Sequence, residues 1–319
     1  FVKLAILIIL ITWVYGLFNN SIGFIPFCLS AIGVTLALLN IRSFPYLIFL
    51  SLPTTLQILK PLQNQKWLRA LNYFVVVILI FESYFYINGS YYLYTDSQKK
   101  MGLGLQENYG KGLDFLLIND LPQPILNNFD IGSYIEYRSY PKYKTFVDGR
   151  PEAYPVDFFQ KIYIPIQEKT EVFEQAMQKY EFKTIIFSIT DQTPWARTFL
   201  SSLIKNPQWQ IVYLDDFLMI LVTKESVESM GLQPIDLSQT TPQLIASNDN
   251  MAYLKVAFFL YNTGHLKQAY DFTQKSLSIF PYSPSANRLM TAILQGSGDS
   301  FGVFNSGQYY QNSSNLYYW

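Results

Sequence analysis

The chain has one cysteine, one histidine and, before Glu82, no acidic residue at all. The lone Cys28 excludes a disulfide framework, so any folded part must be held by its own apolar core. One histidine and one cysteine leave no Cys/His metal cluster. The Walker phosphate loop, the Rossmann fingerprint and the nucleophile elbow are all missing. Charge is scarce too, at 14% of 319 residues, against about a quarter in ordinary soluble domains.

The deficit is uneven. No charged residue occurs from Leu4 to Ile41, and only five bases and one acid precede residue 88. Residues 89–319 hold the other 22 acids and 18 bases, a net charge of −4. An acidic balance without a basic patch argues against nucleic acid as a partner.

What fills the first part is apolar sequence. Residues 1–17, 22–39, 44–59 and 71–87 form four runs near the ~20 residues a helix needs to cross a bilayer, and about four transmembrane helices are expected over residues 1–88. The third run contains Pro53, Thr54, Thr55 and Gln57, as a kinked span or a re-entrant segment would. Only Lys3 could serve as a basic n-region and no cleavage site follows, which excludes a signal peptide. The missing initiator Met leads to the expectation that further spans precede Phe1. Lys60, Lys66 and Arg69 in the 60–70 loop, against Arg42 alone in the 40–43 loop, put the former inside. Residues 89–319 are then expected on the outer side of the cytoplasmic membrane.

The second part begins with an interfacial linker, 89–104, rich in tyrosine. An α/β domain is expected over 105–225. Strand signals lie at 124–127, 145–147, 182–189, 209–214 and 217–223, the last two joined at Asp215-Asp216 as a hairpin. Helical patterns cover 107–119, 156–164, 168–180 and 195–205, and 131–140 reads as a helix or turn stopped by Pro141. A linker, 226–248, precedes residues 249–295, which follow the tetratricopeptide pattern. Tyr253 takes its large position, Ala257, Ala269 and Ser276 its small ones, and Gly264 and Pro281 its stops. One such repeat cannot bury its own face, so a protein partner is one expected cover, and 284–295 suit a capping third helix. His265 falls in the interhelical turn, with no second ligand for a metal. Residues 296–319, rich in Gly, Ser, Asn and Tyr, read as a disordered tail.

The combination FDIGSYIEYRSYP, then FVDGRPEAY, then the final Trp209-to-Asp216 hairpin resembles the extracytoplasmic C-terminal domain of bacterial multi-pass membrane proteins that look like glycosyltransferases of the GT-C type. The resemblance covers about residues 110–224. It implies a fold with three parts: transmembrane helices, an α/β domain and an all-α tetratricopeptide-like hairpin. It also implies a polyprenyl-phosphate sugar donor, membrane lipid as a partner, a divalent metal ion as the cofactor of a full-length enzyme, and a catalytic acid upstream of Phe1.

Asp148-Gly149-Arg150 places an acid and a base on a tight turn, where function in α/β folds concentrates. A guanidinium fork suits phosphate or carboxylate, and Glu136, Arg138 and Glu152 stand near enough in sequence to join. The same residues also suit a purely structural turn, with Asp148 capping its own backbone, Gly149 at positive φ and Arg150 paired with Glu152 or a neighbouring carbonyl. Two functions remain open: a sugar transferase acting on lipid-linked sugars, and a non-enzymatic module that binds proteins through its α/β domain and helical repeat.

Overall fold

The computed structural model describes residues 2–60, 66–88, 90, 96 and 110–297. The chain divides into two units, Phe1–Tyr84 and Phe85–Trp319.

In the first unit, uncharged aliphatic sequence forms helices α1 (Val2–Phe18), α2 (Phe24–Leu39), α3 (Phe44–Leu59) and α4 (Lys66–Ile87). Small and polar residues let α2 and α3 approach. A Cβ on Gly33 would lie 3.2 Å from the Leu47 Cα, and the Thr54 hydroxyl donates to the Pro26 carbonyl at 2.5 Å. The Trp13 indole donates to Ser30 at 3.2 Å, which ties α1 to α2.

These helices correct the expected four-span architecture. Among the described residues, no helix is long and apolar enough to cross a membrane. The reason is length in α1, α2 and α3, which have 17, 16 and 16 residues. At 1.5 Å per residue a 16-residue helix covers about 24 Å, less than the roughly 30 Å of a hydrocarbon core. Helix α4 has 22 residues, with Lys66 and Arg69 in its first four positions and Glu82 near its end. The orientation argument presupposed spans, and part of its 60–70 loop lies outside the described residues. The apolar surface is nonetheless extensive: Phe18, Phe24 and Leu39 are 84%, 82% and 78% exposed.

The second unit is built on a four-stranded mixed sheet in the order β1-β2-β4-β3, comprising β1 (Ile125–Asn127), β2 (Thr184–Ser188), β3 (Trp209–Leu214) and β4 (Leu218–Thr223). β1 runs parallel to β2, with Leu126 opposite Ile185, and β4 runs antiparallel to both β2 and β3. Alternation along the strands sends side chains to both faces. Ile185, Phe187, Met219 and Leu221 enter one core, and Ile186, Ile220 and Val222 enter the other. The second core is closed by α5 (Lys111–Ile118) and α6 (Phe129–Ser139) through Leu113, Leu116, Ile131 and Ile135. The first is closed by a broken helical run over 156–168, here α7, then α8 (Thr170–Tyr180) and α9 (Pro194–Lys205). Phe199 of α9 packs on Phe187 at 5.1 Å and on Phe173 at 5.3 Å.

Two local expectations change. Residues 145–147 are not a strand, because the Asn127 side chain takes the place of a ladder partner. It accepts from the Phe146 N–H at 2.9 Å and donates to the Val147 carbonyl at 2.7 Å. The expected linker 226–248 begins inside a helix, α10 (Lys224–Met230), closed by Gly231 at φ +65°.

Helices α11 (Asn250–Asn262) and α12 (Leu266–Ile279) form the helical pair, and α13 (Pro284–Ser297) follows. Ala257, Ala269 and Ser276 are fully buried, and Gly264 turns the chain at φ +85°. Asp96 reaches the start of α13. Its carboxylate accepts the Ser285 N–H at 3.0 Å and the Ser285 hydroxyl at 2.7 Å. The pair has no separate core: Tyr253, Ala257, Ala269 and Phe272 belong to the same buried cluster as Ile185, Phe187 and Leu221 of the sheet. The expected disordered tail lies outside the described residues, except that Gly296 and Ser297 complete α13.

Candidate functional site

β1 and β2 are parallel neighbours, so their carboxyl ends open side by side, the usual place for a ligand in α/β sheets. Two consecutive amides build that edge. Asn127, fully buried, holds the 146–147 segment as described. Asn128, also fully buried, accepts the Ser188 N–H at 3.2 Å and donates to Asp191 Oδ2 at 3.2 Å. Asp191 Oδ1 accepts both the N–H (2.9 Å) and the hydroxyl (2.8 Å) of Thr193. The carboxylate just past β2 is thus held in one orientation.

Beside it lies a crevice of about 270 Å³, lined by Phe129, Asp130, Phe159, Tyr163, Asp191 and Trp195 among others. Phe129 begins α6, and its N–H donates to the Tyr163 hydroxyl at 2.8 Å. Phe159 stands edge-on to both Phe129 (5.7 Å) and Tyr163 (5.8 Å). A π-helical turn, Phe159–Tyr163, aims these rings; such single turns are frequent at functional sites. Burial holds the Tyr163 phenol well above the usual tyrosine range. Partial loss of hydration, and then the charge of Asp191, raise the Asp130 carboxyl. The crevice therefore presents aromatic faces and two carboxylates.

Three of the five residues singled out in the sequence, Asp148, Arg150 and Glu136, gather in a network of their own, next in the chain to Pro151 of this crevice. Asp148 is buried, and its carboxylate accepts the Arg150 N–H at 2.9 Å and Nε at 3.1 Å and pairs with Nη2. Hydrogen bonding from Arg150 holds Asp148 below the usual carboxylate range. Glu136 pairs with Arg150 at 3.4 Å and accepts from Thr145 at 3.1 Å. Tyr154 accepts the Asp148 N–H at 3.0 Å, and Ser133 accepts the Gly149 N–H at 3.1 Å. Arg138 is elsewhere, paired with Asp114 at 2.5 Å. Glu152 is exposed and outside these ion pairs. Gly149 does not take a positive φ; its role is to lie close to Ser133, 3.1 Å from where a Cβ would stand. Asp148, Arg150 and Glu136 fasten the 145–150 segment to α6, next to Pro151 at the crevice rim.

Sequence reasoning missed Asn127, Asn128, Asp130, Asp191 and Trp195. The available signal was Leu-Asn-Asn-Phe-Asp directly after a strand-like run, since two amides there imply partners outside the ladder. For the metal ion, no group of three or more His, Cys, Asp or Glu among the described residues is arranged to hold one, so the side chains here do not fit it. No protein family, curated protein or solved structure matches the chain.

Proposed function

We propose that residues 110–297 are the sugar-recognition part of a transferase of the GT-C kind that acts on lipid-linked sugars. The observation that carries this reading is the crevice at the ends of β1 and β2. Aromatic faces offer dispersion contact to the C–H face of a pyranose ring, and the carboxylates of Asp191, held in place, and Asp130 can accept hydrogen bonds from its hydroxyls. A volume of about 270 Å³ lies at the small end of ligand sites and suits a single ring. The exposed apolar surface of α1–α4 supports a lipid-linked rather than a free sugar. The reading assigns recognition to this chain and no transfer step. A protein-binding role for the helical pair is less well supported, because its small-residue seam is buried in the core shared with the sheet.

Saturation-transfer NMR on the full chain, with a panel of neutral monosaccharides, tests the reading. At least one should give a signal that disappears in Trp195→Ala at unchanged thermal stability. Absence of any signal, or one indifferent to Trp195→Ala and Phe159→Ala, overturns it.

A further inference from the structure

The chemistry of the crevice at the ends of β1 and β2 is one-sided. Four of its lining residues, Phe129, Phe159, Tyr163 and Trp195, carry aromatic rings, two, Asp130 and Asp191, carry carboxylates, and none is a base. Three bases stand within two positions of a lining residue in the chain, and each has another partner. Arg150 pairs with Asp148 and Glu136, Lys161 pairs with Asp157 at 2.6 Å, and the Arg197 guanidinium donates to the Gln192 side chain. Asp191 also borders a groove that Arg197 and Lys255 line, but Lys255 is paired with Asp216 at 3.4 Å. Among the described residues, no base that lines the crevice balances its two carboxylates.

That imbalance discriminates between ligands. The hydroxyls of a neutral sugar are met by any acceptor, an amide as well as a carboxylate. Two carboxylates in one partly dehydrated space raise the free energy of the charged state. The raised Asp130 carboxyl reflects this, through lost hydration first and the charge of Asp191 second. The groups that hold Asp191 are the Asn128 amide and the N–H and hydroxyl of Thr193. All are neutral, so they orient the carboxylate and leave its charge in place. The aromatic lining adds a second, independent preference of the same sign, because a ring face attracts a cation within about 6 Å of its centre. Carboxylates and ring faces together favour an organic ammonium ion over a neutral molecule of the same shape.

We infer that the crevice selects an amino sugar, one whose free amine is protonated, over its neutral counterpart, with the ammonium placed by Asp130 and Asp191 among the aromatic rings. The inference rests on the reading of this crevice as a sugar site and narrows it.

Saturation-transfer NMR titrations of the full chain with matched sugars test the inference. Glucosamine is compared with glucose and N-acetylglucosamine, and galactosamine with galactose and N-acetylgalactosamine, at about pH 6, where such amines are protonated. Glucuronate is the anionic control. In at least one set the free amine should bind about fivefold more tightly than both of its partners, and glucuronate should give no signal. Added salt should shrink that advantage, because Asp130 is exposed and its charge is screened. Asp130→Asn, an isosteric change, should bring the ratio of affinities close to one while the fold stays intact. Should that variant fail to fold, the salt series on the wild-type chain still decides the matter. A free amine that binds no better than the neutral or N-acetylated sugar overturns the inference and leaves the sugar reading standing. An advantage that survives both salt and Asp130→Asn overturns the assignment of the ammonium to the carboxylates. No binding by any of the sugars overturns the sugar reading, and this inference with it.

Discussion

Gly132 runs so close beneath the Val147 carbonyl that a Cβ on it would lie 1.9 Å from that oxygen and 2.6 Å from the Asp148 Cα. The contact is backbone on backbone, so no side-chain rotation relieves it. Val147 cannot retreat either, because its carbonyl accepts from the buried Asn127 amide at 2.7 Å. Gly132→Ala should therefore cost about 3 kcal/mol, the upper range for overpacking a tight site. Urea unfolding monitored by circular dichroism checks this, and a loss below ~1 kcal/mol would mean that the 147–150 segment is free to move.

Asp148 tests the network next to that contact. Its folded pKa lies below the usual carboxylate value, so its contribution is present above the unfolded pKa and fades as pH falls through the folded value. Arg150 is 59% exposed at its side chain, which limits the charge pair to about 1 kcal/mol. Asp148→Asn keeps an acceptor for the Arg150 N–H and should cost about that much. Asp148→Ala also leaves the N–H unmatched and should cost about 2 kcal/mol. In both variants the loss of stability between neutral pH and about pH 3 should be shallower than in wild type. Equal stability of wild type and Asp148→Asn at pH 7 would remove the charge pair from the account.

His265, the only histidine, gives a second pH window. Partial burial lowers its pKa, opposed by the charge of Asp236. The unfolded chain then binds a proton that the folded chain refuses, so stability falls as pH drops through the range just below about 6.5. The imidazole resonance should titrate below that value in the folded protein. His265→Gln, which can still meet the Thr263 hydroxyl (3.1 Å from Nδ1), should flatten the stability profile between about pH 6.5 and 5. A titration midpoint above 6.5 would reverse the sign.

How much of this was legible in the sequence follows from the range of each interaction. The strand signals at 124–127, 182–189 and 209–223 came from β-branched and apolar runs, which report local burial, and strands stand within those bounds. The stretch FDIGSYIEYRSYP, which contains Gly132, and the Asp-Gly-Arg turn stood out as motifs, although the backbone contact of Gly132 with Val147, across 15 positions, did not. The segment 145–147 looked like a strand because Phe146 and Val147 are apolar. It is held instead by one amide, Asn127, from 19 residues away, and composition carries no trace of such a partner. Asp130 and Asp191 become neighbours in one crevice only because β1 and β2 pair in parallel, which is a fact of topology. The apolar runs of residues 1–87 were readable as helices, and the ends of the first three lie within two residues of those expected. The runs 1–17, 22–39 and 44–59 already had nearly the lengths of α1, α2 and α3, which have 17, 16 and 16 residues, and the error lay in taking such lengths as enough to cross a bilayer.

Ala269 decides whether the helical pair is an independent body. Its side chain is fully buried against α11, and the cluster it belongs to runs without a break through Phe272, Tyr253 and Leu254 to Leu221, Phe187 and Ile185 of the sheet. A repeat that carried its own core would lose only itself when overpacked, and the sheet would survive. The shared cluster predicts the opposite. Ala269→Trp should cost about 3 kcal/mol, and the loss should appear in one cooperative transition that includes β2 and β4, since a continuous core unfolds as a unit. Limited proteolysis should cleave residues 110–223 and 250–297 of the variant at similar rates, with a common midpoint by tryptophan fluorescence and far-ultraviolet circular dichroism. A protease-resistant fragment spanning 110–223, left after residues 250–297 are degraded, would show that the sheet holds its fold without the helices.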